Sequence, residues 1–184
     1  VDQVTPDSAL SALVARAVRT TESLANRVIT DIALPLPRTG NQYPLGNLIA
    51  DAFRNVLRTD VALVNNGGVR ADVAAGRLTY GQLFTVMPFQ NQAVTVTLTG
   101  KQLREVAEAS ITAGGPDAHV SGMRITYDLS RPAGQRVRDI RLANGKKPKD
   151  TGRYTLAVNS FLAAGQSGYT MLRTAPQVPD GMSD

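Results

Sequence analysis

The segment Asp60-Val61-Ala62-Leu63-Val64-Asn65-Asn66-Gly67-Gly68-Val69-Arg70 joins a short apolar run to a glycine-rich turn. An apolar run of this length that ends in Asn and Gly is typical of a buried strand that leads into a turn. The two glycines let the backbone turn sharply and approach a ligand, and Arg70 offers a forked donor for phosphate. Taken alone, the segment is more typical of an ordinary turn than of a ligand-binding loop, because Asn-Gly is a common hairpin sequence.

Helical and strand patterns surround this segment. Apolar residues recur at helical spacing after Pro44, and Thr99-Gly100-Lys101-Gln102 is a capping box that starts a further helix. Strand patterns cover residues 28–36, 60–64, 94–98, 123–127, 140–142 and 154–158. Strands and helices alternate early and strands dominate late, so we predict an α/β (α+β) fold in which helices pack on the faces of a mixed β-sheet.

The two ends of the chain carry different patterns. Thr5-Pro6 is typical of a helix start, and apolar residues then follow along one helical face from Leu10 to Val18. This helix is either a connection from a preceding domain or an ordinary surface helix. The tail, residues 175–184, has two prolines and few apolar residues, so we expect a loose end there.

Composition excludes several classes of function. The chain has no cysteine, which rules out disulfides, thiolate metal sites and cysteine nucleophiles. Its formal charge of +5 suits an anionic ligand, but the basic residues are scattered and do not interleave with aromatics, so we predict no nucleic-acid binding. No apolar run has membrane-spanning length, so we predict no membrane insertion.

The sequence lacks the residue patterns that common hydrolytic sites require. Metal-assisted hydrolysis of phosphate esters needs several His, Asp and Asn ligands, and the chain has one histidine, His119. Neither a Gly-x-Ser-x-Gly elbow nor a phosphate-binding P-loop sequence is present. We therefore predict no catalytic residue and no metal ligand in this chain, and we interpret His119 as an ordinary strand-edge residue.

Two phenylalanines lie in predicted loops. Phe89 follows Pro88 and precedes the amide of Asn91, and Phe161 begins a small-residue loop after a strand. Each one alone is more often a core residue, but two such rings suit a sandwich around a flat heteroaromatic base. Arg38 and Arg70 suit its phosphate.

Four motifs occur in a distinctive order. They are residues 44–52 (Pro-Leu-Gly-Asn-Leu-Ile-Ala-Asp-Ala), residues 65–70 (Asn-Asn-Gly-Gly-Val-Arg), residues 87–89 (Met-Pro-Phe), and residues 161–165 (Phe-Leu-Ala-Ala-Gly) with Gly168-Tyr169. With these motifs the chain resembles the C-terminal domain of the 5′-nucleotidase and UDP-sugar hydrolase family, from about Asn26 to Leu172.

The resemblance implies a division of labour between two domains. In that family an N-terminal metallophosphoesterase domain holds two divalent metal ions, and the C-terminal domain binds the nucleotide. Residues 1–25 would then be the linker helix from the N-terminal domain, and residues 26–184 the substrate-binding domain. This chain would bind no cofactor itself.

The resemblance also implies which residues contact the substrate. Phe89 and Phe161 would sandwich the base, while Asn65 and Asn91 would offer amide contacts to it. Gly67 and Gly68 would shape the loop, and Arg38 and Arg70 would hold the phosphate.

One position departs from the family pattern. Where the family usually has Gly-Gly-Asp-Gly, with an aspartate that accepts hydrogen bonds from the ribose, this chain has Gly165-Gln166-Ser167-Gly168. Ser167 lacks a carboxylate, so we expect its ribose contact to be weaker or routed through water.

The resemblance implies the substrate domain of a 5′-nucleotidase-type phosphohydrolase that is periplasmic, on the cell surface or extracellular, with the isolated chain inactive. UDP-sugar hydrolase and 2′,3′-cyclic-nucleotide phosphodiesterase domains are alternatives within the class. A non-catalytic nucleotide-binding module and a scaffold with both phenylalanines in its core are alternatives from other classes. Buried rings would favour the scaffold, and exposed rings beside a cleft would favour a nucleotide pocket.

Overall fold

The computed structural model describes Thr5 and residues 7–183, and within these residues helices and strands are interspersed early and strands predominate late. The helices are α1 (Ser8–Ala25), α2 (Pro44–Leu57), α3 (Tyr80–Val86), α4 (Gly100–Ala109) and α5 (Ser160–Ala163). The strands are β1 (Val28–Ile32), β2 (Val61–Asn65), β3 (Gly76–Thr79), β4 (Gln92–Thr99), β5 (Ile111–Thr112), β6 (Gly115–Pro116), β7 (Ala118–Ser121), β8 (Met123–Tyr127), β9 (Val137–Leu142), β10 (Arg153–Asn159) and β11 (Gln177–Ser183).

A five-stranded mixed sheet forms the centre of the fold, with the strand order β11-β4-β10-β2-β7. Strands β2 and β10 are parallel, and the other neighbours in this sheet are antiparallel. Every residue of β2 is buried. The prediction of a mixed sheet around a buried 60–64 strand is confirmed.

Helices cover both faces of this sheet. Because side chains alternate along a strand, neighbouring residues of one strand pack against different helices. Leu63 belongs to the core under α4, together with Leu103 and Val106. The next residue, Val64, belongs to a second core that includes Leu45 and Ala50 of α2.

The predicted capping box starts α4. Thr99 Oγ1 accepts from the backbone N–H of Gln102 at 3.2 Å, and Gln102 Oε1 accepts from the N–H of Thr99 at 2.9 Å. Helix α4 ends at Ala109, and Ile111 lies beyond it in β5.

Three predictions about element boundaries are wrong. Helix α1 starts at Ser8 with Asp7 as its cap, because the Asp7 carboxylate accepts from the N–H of Leu10 at 2.9 Å; Thr5 precedes the helix, and Pro6 lies outside the described residues. Strand β1 ends at Ile32, and Leu36 instead makes a single bridge to Val73.

The third wrong prediction is the loose end that we expected in the C-terminal tail. Residues 177–183 form β11, which pairs with β4 although its side chains are exposed. Main-chain pairing needs no apolar side chains, so composition did not predict this strand.

The two apolar helix faces differ in burial. The predicted face of α1 exists, but its residues are 56–63% exposed at Leu10, Leu13, Val14 and Val18, and α1 has no buried residue. In α2 the face buries Leu45 and Ala50 and leaves Val56 at a groove beside α3.

His119 lies on the edge strand β7, as predicted, but its side chain is fully buried. Its ring meets the Tyr43 ring edge-on, with centroids 4.2 Å apart, and Nδ1 lies 3.0 Å from Asn47 Oδ1. A Cβ at Gly46 would overlap the imidazole, so glycine at this position lets α2 pack directly on the ring.

This burial makes the stability of the fold depend on pH. Burial lowers the pKa of His119 from 6.5 to about 4. Between these values the unfolded chain binds a proton that the folded chain does not, so the free energy of unfolding falls as the pH drops from 6.5 to 4. We expect this residue alone to account for a loss of about 3 kcal/mol by pH 4.

Urea unfolding of the wild type and of His119→Gln at pH 7 and pH 4 measures this contribution. The variant lacks the titrating ring, so it should lose less stability than the wild type between the two pH values. An equal loss in both proteins would contradict a buried, neutral His119.

Candidate functional site

Four strand ends meet at one edge of the central sheet. Because β2 and β10 are parallel, Asn65 and Asn159 end their strands side by side. Strands β4 and β7 run the other way and begin at this edge, with Ala93 paired to Asn159 and Ala118 paired to Asn65. Segments 65–70, 89–91, 117–118 and 159–168 are therefore brought together by the sheet itself.

Asn65 ties two of these segments together beneath the surface. It is 9% exposed, and its Oδ1 accepts from Asn159 Nδ2 at 3.2 Å. Asn159 Oδ1 accepts from the N–H of Leu162 at 3.0 Å and so caps α5, the helix that carries Phe161. The predicted amide residue therefore braces the phenylalanine-bearing loop from below.

Gly67 and Gly68 lie over the Asn65 side chain. A Cβ at Gly68 would come within 3.1 Å of Asn65 Oδ1, and one at Gly67 within 3.4 Å of Nδ2. These glycines form a short 3-10 turn with Asn66. Their lack of side chains permits this close approach, so the strand leads into a tight turn and the hairpin interpretation does not apply.

Arg70 connects this turn to Phe89. Its backbone N–H donates to the Val86 carbonyl at 2.8 Å, and its guanidinium carbon lies 5.9 Å from the centre of the Phe89 ring. Nη1 also reaches the Gly67 carbonyl at 3.4 Å. The exposed guanidinium thus lies between the glycine turn and an aromatic ring, in cation–π range.

Arg38 lies in an adjacent exposed loop. The bridge between Leu36 and Val73 aligns the two loops, and Asp72 Oδ1 accepts from the backbone N–H of Arg38 at 2.8 Å. This arrangement brings the Arg38 loop beside the segment that carries Arg70.

Both phenylalanines are exposed. Phe89 is 53% and Phe161 is 42% exposed, which argues against the scaffold alternative in which both rings belong to the core. Their loops are joined because Ser160 Oγ accepts from the N–H of Gln92 at 3.2 Å. Asn91 is half-buried at the start of β4, after Gln90, which has a left-handed backbone (φ 53°).

Ser167 is exposed and also left-handed, with φ 52° and ψ 32°. Gly165 and Gly168 on either side have φ values of 82° and 84°. This conformation favours Gly, Asn and Asp over other residues. Ser167 therefore occupies a backbone geometry better suited to an aspartate than to a serine.

Sequence reasoning missed a further loop near this edge, the turn between β5 and β6. Asn41 Nδ2 donates to the Gly114 carbonyl at 2.6 Å, and Asn66 Nδ2 donates to the Asn41 carbonyl at 3.2 Å. The Asn66 N–H donates to the Asp117 carbonyl at 3.1 Å. The Gly114-Gly115-Pro116 sequence, a turn signal directly before a strand, was available to indicate this loop.

A mostly apolar cavity lies elsewhere. It has a volume of about 470 Å³ and lies between α2 and α3, where Phe53, Leu83 and Phe84 line it. None of the nine predicted binding residues contributes to its wall.

Two further features of the described residues bear on function. They contain no group of three or more His, Asp or Glu side chains placed to hold a metal ion. None of the helices in residues 7–183 combines the length and the apolar character needed to cross a bilayer.

Comparison with known proteins identifies relatives over nearly the whole chain. The family model for the 5′-nucleotidase C-terminal domain matches residues 5–174. The endonuclease YhcR of Bacillus subtilis is 36% identical over 169 residues, which are 89% of this chain and 14% of that protein. A 5′-nucleotidase of Vibrio parahaemolyticus is 34% identical over 149 residues, which are 78% of this chain and 25% of that protein.

A solved structure shows the same architecture. The 5′-nucleotidase precursor from Thermus thermophilus superposes with a TM-score of 0.83 at 30% identity, over 97% of this chain and 39% of that one. This chain thus spans between 14% and 39% of the length of these three relatives. The sequence match, the shared fold and the motif-bearing loops at one sheet edge agree, and the chain belongs to the 5′-nucleotidase C-terminal domain family.

Proposed function

We propose that this chain is the nucleotide-binding domain of a two-domain, metal-dependent phosphohydrolase of the 5′-nucleotidase type. The observation that carries the proposal is the exposure of Phe89 and Phe161 on joined loops at the sheet edge where Arg70 also lies. Exposure of aromatic rings to water is unfavourable in free energy, and a ligand that covers the rings removes this penalty.

The base would bind between the two rings. Stacking on an aromatic side chain contributes about 1–3 kcal/mol per base. The brace from Asn65 through Asn159 to α5 fixes the loop of Phe161 before the ligand arrives, which lowers the entropic cost of binding. Asn91, two residues after Phe89, would offer its amide to the base edge.

The phosphate would bind beside the base, near Arg70. A guanidinium can pair with two phosphate oxygens at once, and Arg70 already lies against the ring of Phe89. Arg38, from the adjacent loop, would add a second positive charge. The phosphate would then lie at the rim of the site, where a second domain could reach it.

The metal ions would come from an N-terminal metallophosphoesterase domain of the same polypeptide. Support comes from the small share of its relatives that this chain spans, and from the lack of a metal-binding cluster among its described residues. The exposed apolar face of α1 suits a connecting helix that packs on another domain. This chain would contribute to catalysis by positioning the scissile phosphate. We place the enzyme outside the cytoplasm, as the family resemblance implies.

Phe89→Ala and Phe161→Ala test the sandwich. We expect each variant to weaken AMP binding to this chain by about tenfold or more, from the loss of one stacking surface. Phe84→Ala is the matched control, because Phe84 is 40% exposed but lies in the α2–α3 cavity. Titration calorimetry, with thermal unfolding to check the fold, would contradict the sandwich if Phe84→Ala lost as much affinity or if either loop variant unfolded.

A phosphate-release assay tests the division of labour. The chain alone, given AMP with magnesium or manganese, should release no phosphate above the buffer rate, because it offers no cluster of metal ligands among its described residues. A polypeptide that also contains the metal-binding domain should be active. Turnover by the chain alone would contradict the assignment of catalysis to the proposed N-terminal domain.

A further inference from the structure

Asp117 belongs to the same sheet edge, although no sequence motif assigns it a role. Strand β7 begins at Ala118, which pairs with Asn65, so Asp117 is the residue that leads into β7 beside the glycine turn. Its carbonyl accepts from the N–H of Asn66 at 3.1 Å, and its N–H donates to the Ser110 carbonyl at 2.8 Å. Both backbone groups are fixed, while the side chain is exposed.

The carboxylate of Asp117 also lies near the loop of Ser167. Tyr169, two residues beyond Ser167, is 2% exposed. Burial raises the pKa of the Tyr169 hydroxyl, and the negative charge of Asp117 raises it further. Asp117 is thus close enough to act electrostatically on the end of this loop.

The surroundings of Asp117 are rich in groups that recognise polar ligands. Asn66, to which it is hydrogen-bonded through the backbone, has a buried Oδ1 that accepts no hydrogen bond within the described part of the chain. Ser167 offers one hydroxyl where a carboxylate would offer two acceptor oxygens. Asn66 Oδ1 is thus an acceptor without a donor, and Asp117 is an exposed carboxylate acceptor beside it, so this edge suits a ligand that donates hydrogen bonds.

We propose that the Asp117 carboxylate accepts hydrogen bonds from the vicinal hydroxyls of a bound ribose and so makes the site selective for ribonucleotides. The inference rests on the proposed nucleotide-binding function. Asp117, at the junction of β6 and β7, would then supply the carboxylate acceptor that Ser167 lacks. Hydrogen bonds from hydroxyls to a carboxylate are about twice as strong as neutral ones.

The test compares AMP with 2′,3′-dideoxy-AMP, which has the same base and phosphate but no ribose hydroxyls. Both nucleotides are titrated without metal into the wild-type chain, Asp117→Asn and Asp150→Asn. Asp150 is the matched control, because it is exposed and precedes β10 at the opposite end of that strand. Thermal unfolding confirms that each variant is folded.

We expect the wild type to prefer AMP by about tenfold or more, and Asp117→Asn to lose most of that preference while its affinity for dideoxy-AMP stays the same. Asp150→Asn should match the wild type. The inference is overturned if Asp117→Asn keeps the preference, if it weakens both nucleotides equally, or if the wild type shows no preference.

Failure of the proposed function has a different signature. In that case the wild type binds neither nucleotide, and the inference falls with it. If the wild type binds both nucleotides and Phe89→Ala weakens both, the nucleotide site stands whatever Asp117→Asn does.

Discussion

The parallel pairing of β2 with β10 is the constraint on which the rest of the structure depends. It brings Asn65 and Asn159 to the same edge of the sheet, where their side chains hydrogen-bond at 3.2 Å. That bond lies beneath the glycine turn and the cap of α5, so two loops far apart in sequence share one buried support. A buried amide pair has few alternative partners, which makes the arrangement specific.

At this edge of the sheet, buried groups support the loops, and a second set of groups is exposed at the surface. Amides and backbone bonds form a buried lower layer, whereas Phe89, Phe161 and Arg70 are exposed above it. A rigid lower layer holds the exposed groups in place before a ligand arrives, and this lowers the conformational cost of binding. Asp117 follows the same pattern, because its backbone groups are hydrogen-bonded and its side chain is exposed.

Local patterns predicted the elements that carry strong signals, such as the capping box at Thr99 and a buried strand, which was predicted at 60–64 and lies at 61–65. The exposed strand β11 was missed because main-chain pairing leaves little trace in side-chain composition. The nine predicted binding residues came from family motifs, and the structure gathers their loops at one edge. The sequence alone could not indicate a role for Asp117 at this edge, because only the fold brings Asn66 and Tyr169 near it.

Mapping of backbone amide chemical shifts during titration with AMP tests the central claim most directly, namely that these loops form one nucleotide pocket. The account predicts saturable shifts that cluster at residues 65–70, 89–91 and 160–169, with little change along α2 and α3. Shifts confined to the apolar cavity between α2 and α3, or no shifts at millimolar AMP, would contradict it.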